Sequence, residues 1–112
     1  MKVLILEDSA SRIKVFKKNL KDHDLYFFDQ VEEAKSAVDL LGPFDYYFLD
    51  HDLDGEIYVE SSNENTGYQF AKFLKEKNIK AEFVIHSMNV VGVQNMKNEL
   101  PTATVCSFSN LF

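Results

Sequence analysis

Cysteine is almost missing. Cys106 is the single one among 112 residues, so no disulfide can form within the chain, and the sequence reads as one for a reducing cytoplasm. Basic side chains are also short, 12 against 18 acidic ones, for a formal charge of −6. That balance excludes a basic groove for extended duplex nucleic acid, which must neutralise a phosphate backbone. It leaves room for a small phosphorylated ligand or an RNA end. No apolar run nears the ~20 residues of a membrane span, and the opening MKVLILEDSA turns acidic too soon for a signal peptide. The length suffices for one hydrophobic core but not two, so residues 1–112 are expected to form a single domain.

What is present is alternation. Short, bounded apolar runs at Val3–Leu6, Leu25–Phe28, Tyr46–Leu49, Phe83–Ile85 and Ala103–Val105 read as buried strands. Between them, four groups recur at helical spacing: Ile13, Phe16 and Leu20; Val31, Ala34, Val38 and Leu41; Phe70, Phe73 and Leu74; Val93, Met96 and Leu100. Each puts an apolar stripe on one helix. Asp29 with Glu32 has the form of a capping box, Gly42-Pro43 and Pro101 are stops, and Asn89 can cap the last helix.

Strands apolar on both faces, alternating with helices, predict an α/β fold. It is a five-stranded parallel sheet covered by four helices, in the doubly wound order 2-1-3-4-5. Ligands of such sheets bind beyond the carboxyl ends of the strands, where the order reverses. The residues just past the strands are Glu7-Asp8, Asp50-His51-Asp52, His86-Ser87 and Ser107. Four distant segments thereby bring titratable groups to one rim, which makes that rim the expected site. Side chains alternate across a strand, so Asp50 and His51 cannot both enter the crevice while the strand stays regular, and neither can His86 and Ser87. Which member of each pair does so is left open.

VLILEDSASRI followed by YYFLDHDLDG resembles the receiver domain of response regulators. The resemblance implies a flavodoxin-like, three-layer fold, with Glu7 and Asp8 holding Mg²⁺, Asp50 at the phosphoacceptor position and Ser87 as the hydroxyl after the fourth strand. Receivers carry a lysine before a proline at the fifth strand, where this chain reads TVCSFSN, and a fifth helix beyond the point where it stops at Phe112. Those departures disfavour phosphoacceptor signalling. LDHDL, the long loop EIYVESSNENTGYQFAKFL and IHSMNVVGVQNM are more narrowly similar to the cyclic-phosphate processing receiver-like domains of bacteria and their phages. That resemblance implies a bacterial or phage-infected cytoplasm and active-site roles for His51 and His86.

On their own chemistry, His51 and His86 suit proton transfer near neutral pH, with Asp52 beside them. Glu7, Asp8 and Asp50 suit a hard divalent cation, Mg²⁺ or Mn²⁺, without which so many carboxylates would repel a phosphate. The carboxylates could instead orient the imidazoles. The reading is a metal-assisted phosphoesterase acting on a 2′,3′-cyclic RNA end or a cyclic nucleotide; the alternative is a degenerate receiver that signals or binds a ligand. The bland rival for His51 is a salt-bridged loop residue, and for His86 a buried histidine satisfied by Glu7 or by backbone.

The loop from Asp54 to Asn65 exceeds the usual length and reads as a lid, with Tyr58 free to stack on a base. Thr66 and Gly67 open the third helix, and Asn89 and Gly92 the fourth, offering N–H groups to an anion. With Ser87, these five complete the expected substrate contacts. Without a fifth helix, one sheet face needs a cover. Either a homodimer forms through it, or Phe108, Leu111 and Phe112 fold back over it.

Overall fold

The computed structural model describes residues 1–53 and 55–112; Asp54, the first residue of the expected lid, lies outside them. Strands β1 (Lys2–Leu6), β2 (Asp24–Phe28), β3 (Tyr46–Leu49), β4 (Glu82–Ile85) and β5 (Thr104–Val105) alternate with helices α1 (Ala10–Asn19), α2 (Val31–Leu41), α3 (Gly67–Glu76) and α4 (Val90–Glu99). All neighbours are parallel and the order is β2-β1-β3-β4-β5, as the alternation predicts. No helix among the described residues is long and apolar enough to cross a membrane.

Strand pleat sorts the core into two layers. Leu4, Leu6, Tyr47, Leu49, Phe83 and Ile85 meet α2, α3 and α4 through Val38, Phe70, Leu74 and Met96. Val3, Ile5 and Phe48 face the other way, onto Phe16 of α1. That second layer is completed by the end of the chain. A 3₁₀ turn at Phe108–Asn110 brings Phe108 to 5.7 Å and Phe112 to 5.6 Å from Phe16, centroid to centroid and edge to face. The folded-back tail, one of the two expected covers, is present.

Helix starts follow local chemistry with one exception. Thr66 Oγ1 accepts from Gln69 N at 3.4 Å and Asn89 Oδ1 from Gly92 N at 2.9 Å, as N-caps do. The capping box expected of Asp29 and Glu32 does not form. Gln30 occupies the cap position, and the first N–H of α2, on Val31, donates 2.7 Å to Asn65 Oδ1 from the loop before α3. A distant amide thus does the work expected of a neighbouring carboxylate.

Strand register brings three polar side chains together. Leu6 pairs with Leu49 and Leu49 with Ile85, and the ladder runs one residue further: Asp50 N donates to Leu6 O at 3.0 Å and His86 N to Leu49 O at 2.9 Å. Glu7, Asp50 and His86 are therefore neighbouring rungs, and their side chains emerge on the α1 side of the sheet.

Candidate functional site

Glu7, Asp50 and His86 are all buried, and one ligand atom from each lies within 4.8 Å of the others. Above them opens a crevice of about 310 Å³ whose lining includes Glu7, Asp8, Arg12, Asp50, Asp52 and Ser87. Glu7 is held on both oxygens. Oε2 accepts from the backbone N–H groups of Asp8 and Ser9 at 3.0 and 3.1 Å, and Oε1 lies 3.0 Å from His86 Nε2. Arg12, one turn into α1, reaches back over the pair, with Nη1 3.6 Å from Glu7 Oε1 and 3.7 Å from Asp50 Oδ2. Asp8 Oδ2 accepts from Gly55 N at 2.5 Å, tying the loop after β3 to the crevice wall.

Electrostatics split the two buried carboxyl groups. Burial and the neighbouring charge of Glu7 push Asp50 up to about 8, against the N–H of His51 and Arg12. Burial also pushes Glu7 upward, but the hydrogen bond from His86, with Ser9 N–H and Arg12, outweighs it and holds Glu7 below its ordinary value. Two carboxylates in one low-dielectric site resist ionising together. The crevice therefore has a standing demand for positive charge that Arg12 meets only in part.

Oxygen donors of this kind fit a hard divalent cation. Glu7 and Asp50 are the near pair, and Asp8 lines the same space. His86 fits less well as a ligand. Its Nδ1 is buried without a hydrogen-bond partner among the described residues. If Nε2 turned its lone pair to a metal, an N–H would be stranded at Nδ1, which costs more than an unpaired acceptor. With the proton on Nε2, His86 donates to Glu7 and orients it. Phe16 and Phe108 pack on its ring, at 5.5 and 6.0 Å between centroids.

His51 goes elsewhere. It follows Leu49 to the helix-covered face, where it is fully buried and lies so close under α4 that a Cβ on Gly92 would fall 2.4 Å from its Cγ. Its Nδ1 is 2.8 Å from Asp52 Oδ1 and its Nε2 2.9 Å from Ser61 Oγ. His51 and His86 thus occupy opposite faces of the sheet, and the expected acid–base pair about one anion does not form. Of Asp50 and His51, the aspartate takes the crevice. Of His86 and Ser87, the histidine lies at its buried base and the serine at its rim.

The expected substrate contacts divide as well. Only Ser87 lines the acidic crevice. Tyr58, Asn89 and Gly92 border a separate groove of about 550 Å³ between the loop and α4. Thr66 is fully buried, its hydroxyl donating to Asn63 O at 3.0 Å. Gly67 is pressed against the backbone of Asp50, with its N–H given to His51 O at 2.9 Å. The N–H of Gly92 is already taken by the Asn89 cap. These helix ends therefore offer no N–H at Gly67 or Gly92 to an anion. Asp52 clamps the loop, accepting from Tyr58 N at 2.6 Å, Val59 N at 3.2 Å and Asn89 Nδ2 at 3.0 Å. Arg12 and Ser61 belong to these two sites and were not among the residues the sequence singled out.

The family model described as the cyclic-phosphate processing receiver domain matches residues 3–102. The chain belongs to that family. Solved structures similar to this chain include receiver domains. The signal receiver domain of a Luxo repressor protein from Vibrio parahaemolyticus is 18% identical with TM-score 0.72, over 98% of this chain and 82% of that one. The response regulator TrrA from Thermotoga maritima, in complex with Mg²⁺ and BeF, is 17% identical with TM-score 0.70, over 96% and 87%. The signal receiver domain of an HD domain-containing protein from Pseudomonas fluorescens Pf-5 is 10% identical with TM-score 0.74, over 95% and 80%. At such identities the likeness is one of fold. A comparison with curated proteins gives no match.

Proposed function

We propose that the acidic crevice binds a divalent cation through Glu7, Asp8 and Asp50 and hydrolyses a cyclic phosphate, on an RNA end or a nucleotide, held against it. The observation that carries this reading is the in-register meeting of Glu7, Asp50 and His86 within 4.8 Å, in a family named for cyclic-phosphate processing. When bound, the cation supplies Lewis-acid polarisation of the phosphate and a more acidic water. The chain's own residues do the rest. Arg12 presents its guanidinium to a nonbridging oxygen, a geometry that suits phosphate. Ser87 offers a hydroxyl at the rim. His86 fixes the orientation of Glu7 from below as a positioning residue. The test incubates the protein with 2′,3′-cyclic nucleotides and Mg²⁺ or Mn²⁺, beside Glu7→Gln and Asp50→Asn. Ring opening that disappears with a chelator and falls by about 100-fold or more in both variants is the expected result. Full turnover in either variant, or none with any ion, would sink the reading.

A second reading rests on one feature: Asp50 and Ser87 line the same crevice, the positions at which a receiver's phosphoacceptor and hydroxyl are expected. Under it, acetyl phosphate with Mg²⁺ adds a single phosphoryl group on Asp50, and cyclic nucleotides remain intact.

A further inference from the structure

The loop after β3 does more than close the crevice, because it returns Ser61 to the ring of His51. Asp52 stands 2.8 Å from Nδ1 and Ser61 2.9 Å from Nε2 of the same imidazole. A carboxylate on one ring nitrogen and a hydroxyl on the other is the arrangement that activates a serine, and it is recognised by geometry and not by chain order. The carboxylate fixes the tautomer. With Nδ1–H donated to Asp52, Nε2 keeps the lone pair that accepts the Ser61 proton.

The parts are held in place. Asp52 accepts two backbone N–H groups and the Asn89 amide, so it cannot turn away. Gly92 lies against the ring where any larger residue would collide with it. The ring is closed to solvent, which leaves Ser61 Oγ as its outlet. Ser61 borders the groove of about 550 Å³, and Asn95 Nδ2 donates to its Oγ at 2.9 Å. A side-chain amide placed there is set to meet an oxyanion forming on a carbonyl attacked by Ser61. Glu60 is the one charged residue among the groove's described lining, so the groove repels an anionic electrophile and suits an uncharged one.

The geometry points to Ser61 as a nucleophile, with His51 its base and Asp52 its orienting carboxylate, in a second site that takes a neutral carboxylic ester. Ser61 Oγ bonds to the carbonyl carbon while its proton passes to His51 Nε2, and the oxyanion rests on Asn95. Collapse breaks the bond to the leaving oxygen, which departs as an alcohol with that proton. Water then repeats the sequence, releasing the carboxylic acid and restoring Ser61. Apart from Asp52, which also borders the acidic crevice, this site lies on the other face of the sheet, and its chemistry needs neither a cation nor a phosphate bound in the crevice.

The test treats the full chain, in a chelator, with p-nitrophenyl acetate and with a fluorophosphonate. One phosphonyl adduct per chain is expected on the peptide holding Ser61, with acetate release that Ser61→Ala abolishes. His51→Gln should slow both by about 100-fold or more. Ser62→Ala, at an exposed neighbour, should keep the adduct and so excludes mere reactivity of the loop. Because His51→Gln removes a buried ring and can unfold the chain, Ser61→Ala, checked by circular dichroism, is the deciding variant. An adduct absent from Ser61, or shared evenly with Ser62, overturns the proposal and leaves the three residues a structural relay.

Discussion

Glu7 and Asp50 stand side by side under a single guanidinium, Arg12, whose Nη1 is 3.6 Å from one and 3.7 Å from the other. Most of the protein's expected behaviour with pH and ions stems from this shortage of positive charge.

Asp50 titrates at about 8 in the fold against 3.8 as a free side chain. Between those values the folded chain holds a proton that the unfolded chain has lost, so in chelator stability falls as pH rises through that window. The sign is opposite to that of a salt-bridged aspartate. Asp50→Asn cannot ionise, and should raise the melting temperature at pH 8 by about 5 °C or more while changing it little at pH 4. Thermal melts across that range check this; an unchanged slope in the variant counts against it.

A divalent cation should relieve the same repulsion. Mg²⁺ or Mn²⁺ at 100 times its dissociation constant should stabilise the wild-type chain by about 2.7 kcal/mol. Glu7→Gln should lose nearly all of that gain. Calorimetric titration of both proteins reads it directly, and the uptake should release protons at pH 7, where Asp50 is largely protonated.

Gly67 and Gly92, beside the two sites, are required by space. At Gly67 a Cβ would meet the carbonyl oxygen of Asp50 at 2.0 Å, and at Gly92 it would meet the His51 ring at 2.4 Å. Gly92→Ala should cost about 1–3 kcal/mol and displace the ring. Gly67→Ala should cost at least as much, since backbone yields less readily than a side chain. Urea midpoints give the magnitudes, and the imidazole proton resonances of His51 report the displacement.

Phe108 covers Phe16 and lies under the Arg12 guanidinium, 4.9 Å from its ring centre. Phe108→Ala removes half-buried aromatic area and should cost about 1–2 kcal/mol. It should also loosen Arg12, so that cation affinity at the crevice changes although no ligand has been touched. A variant as stable as wild type would show that the tail is not part of the fold in solution.

The sheet order, the four helices and the cap at Asn89 were legible because each is written locally, in runs of β-branched and aromatic residues, in stripes of helical period and in a short polar side chain before the last helix. Glu7 and Asp50 were legible because a parallel sheet carries its site at the strand ends. The histidines were not. Whether His51 and His86 share a face depends on the register between β3 and β4, which no local pattern encodes. Once Leu49 pairs with Ile85, His51 is one residue out of step with His86 and must point away. Asn65 as the α2 cap, Arg12 over the crevice and Ser61 against His51 were hidden for a related reason. Each acts across the chain, from loop or helix positions with no period that assigns them a direction.

The tripeptide Asp50-His51-Asp52 serves both sides of one sheet because successive residues of an extended chain point in opposite directions. Inserting or deleting a single residue before it would not merely shift the loop: it would exchange acid for imidazole on each face at once. The two proposed sites thus hang on the register of one turn, so a change in its length would disturb both at once.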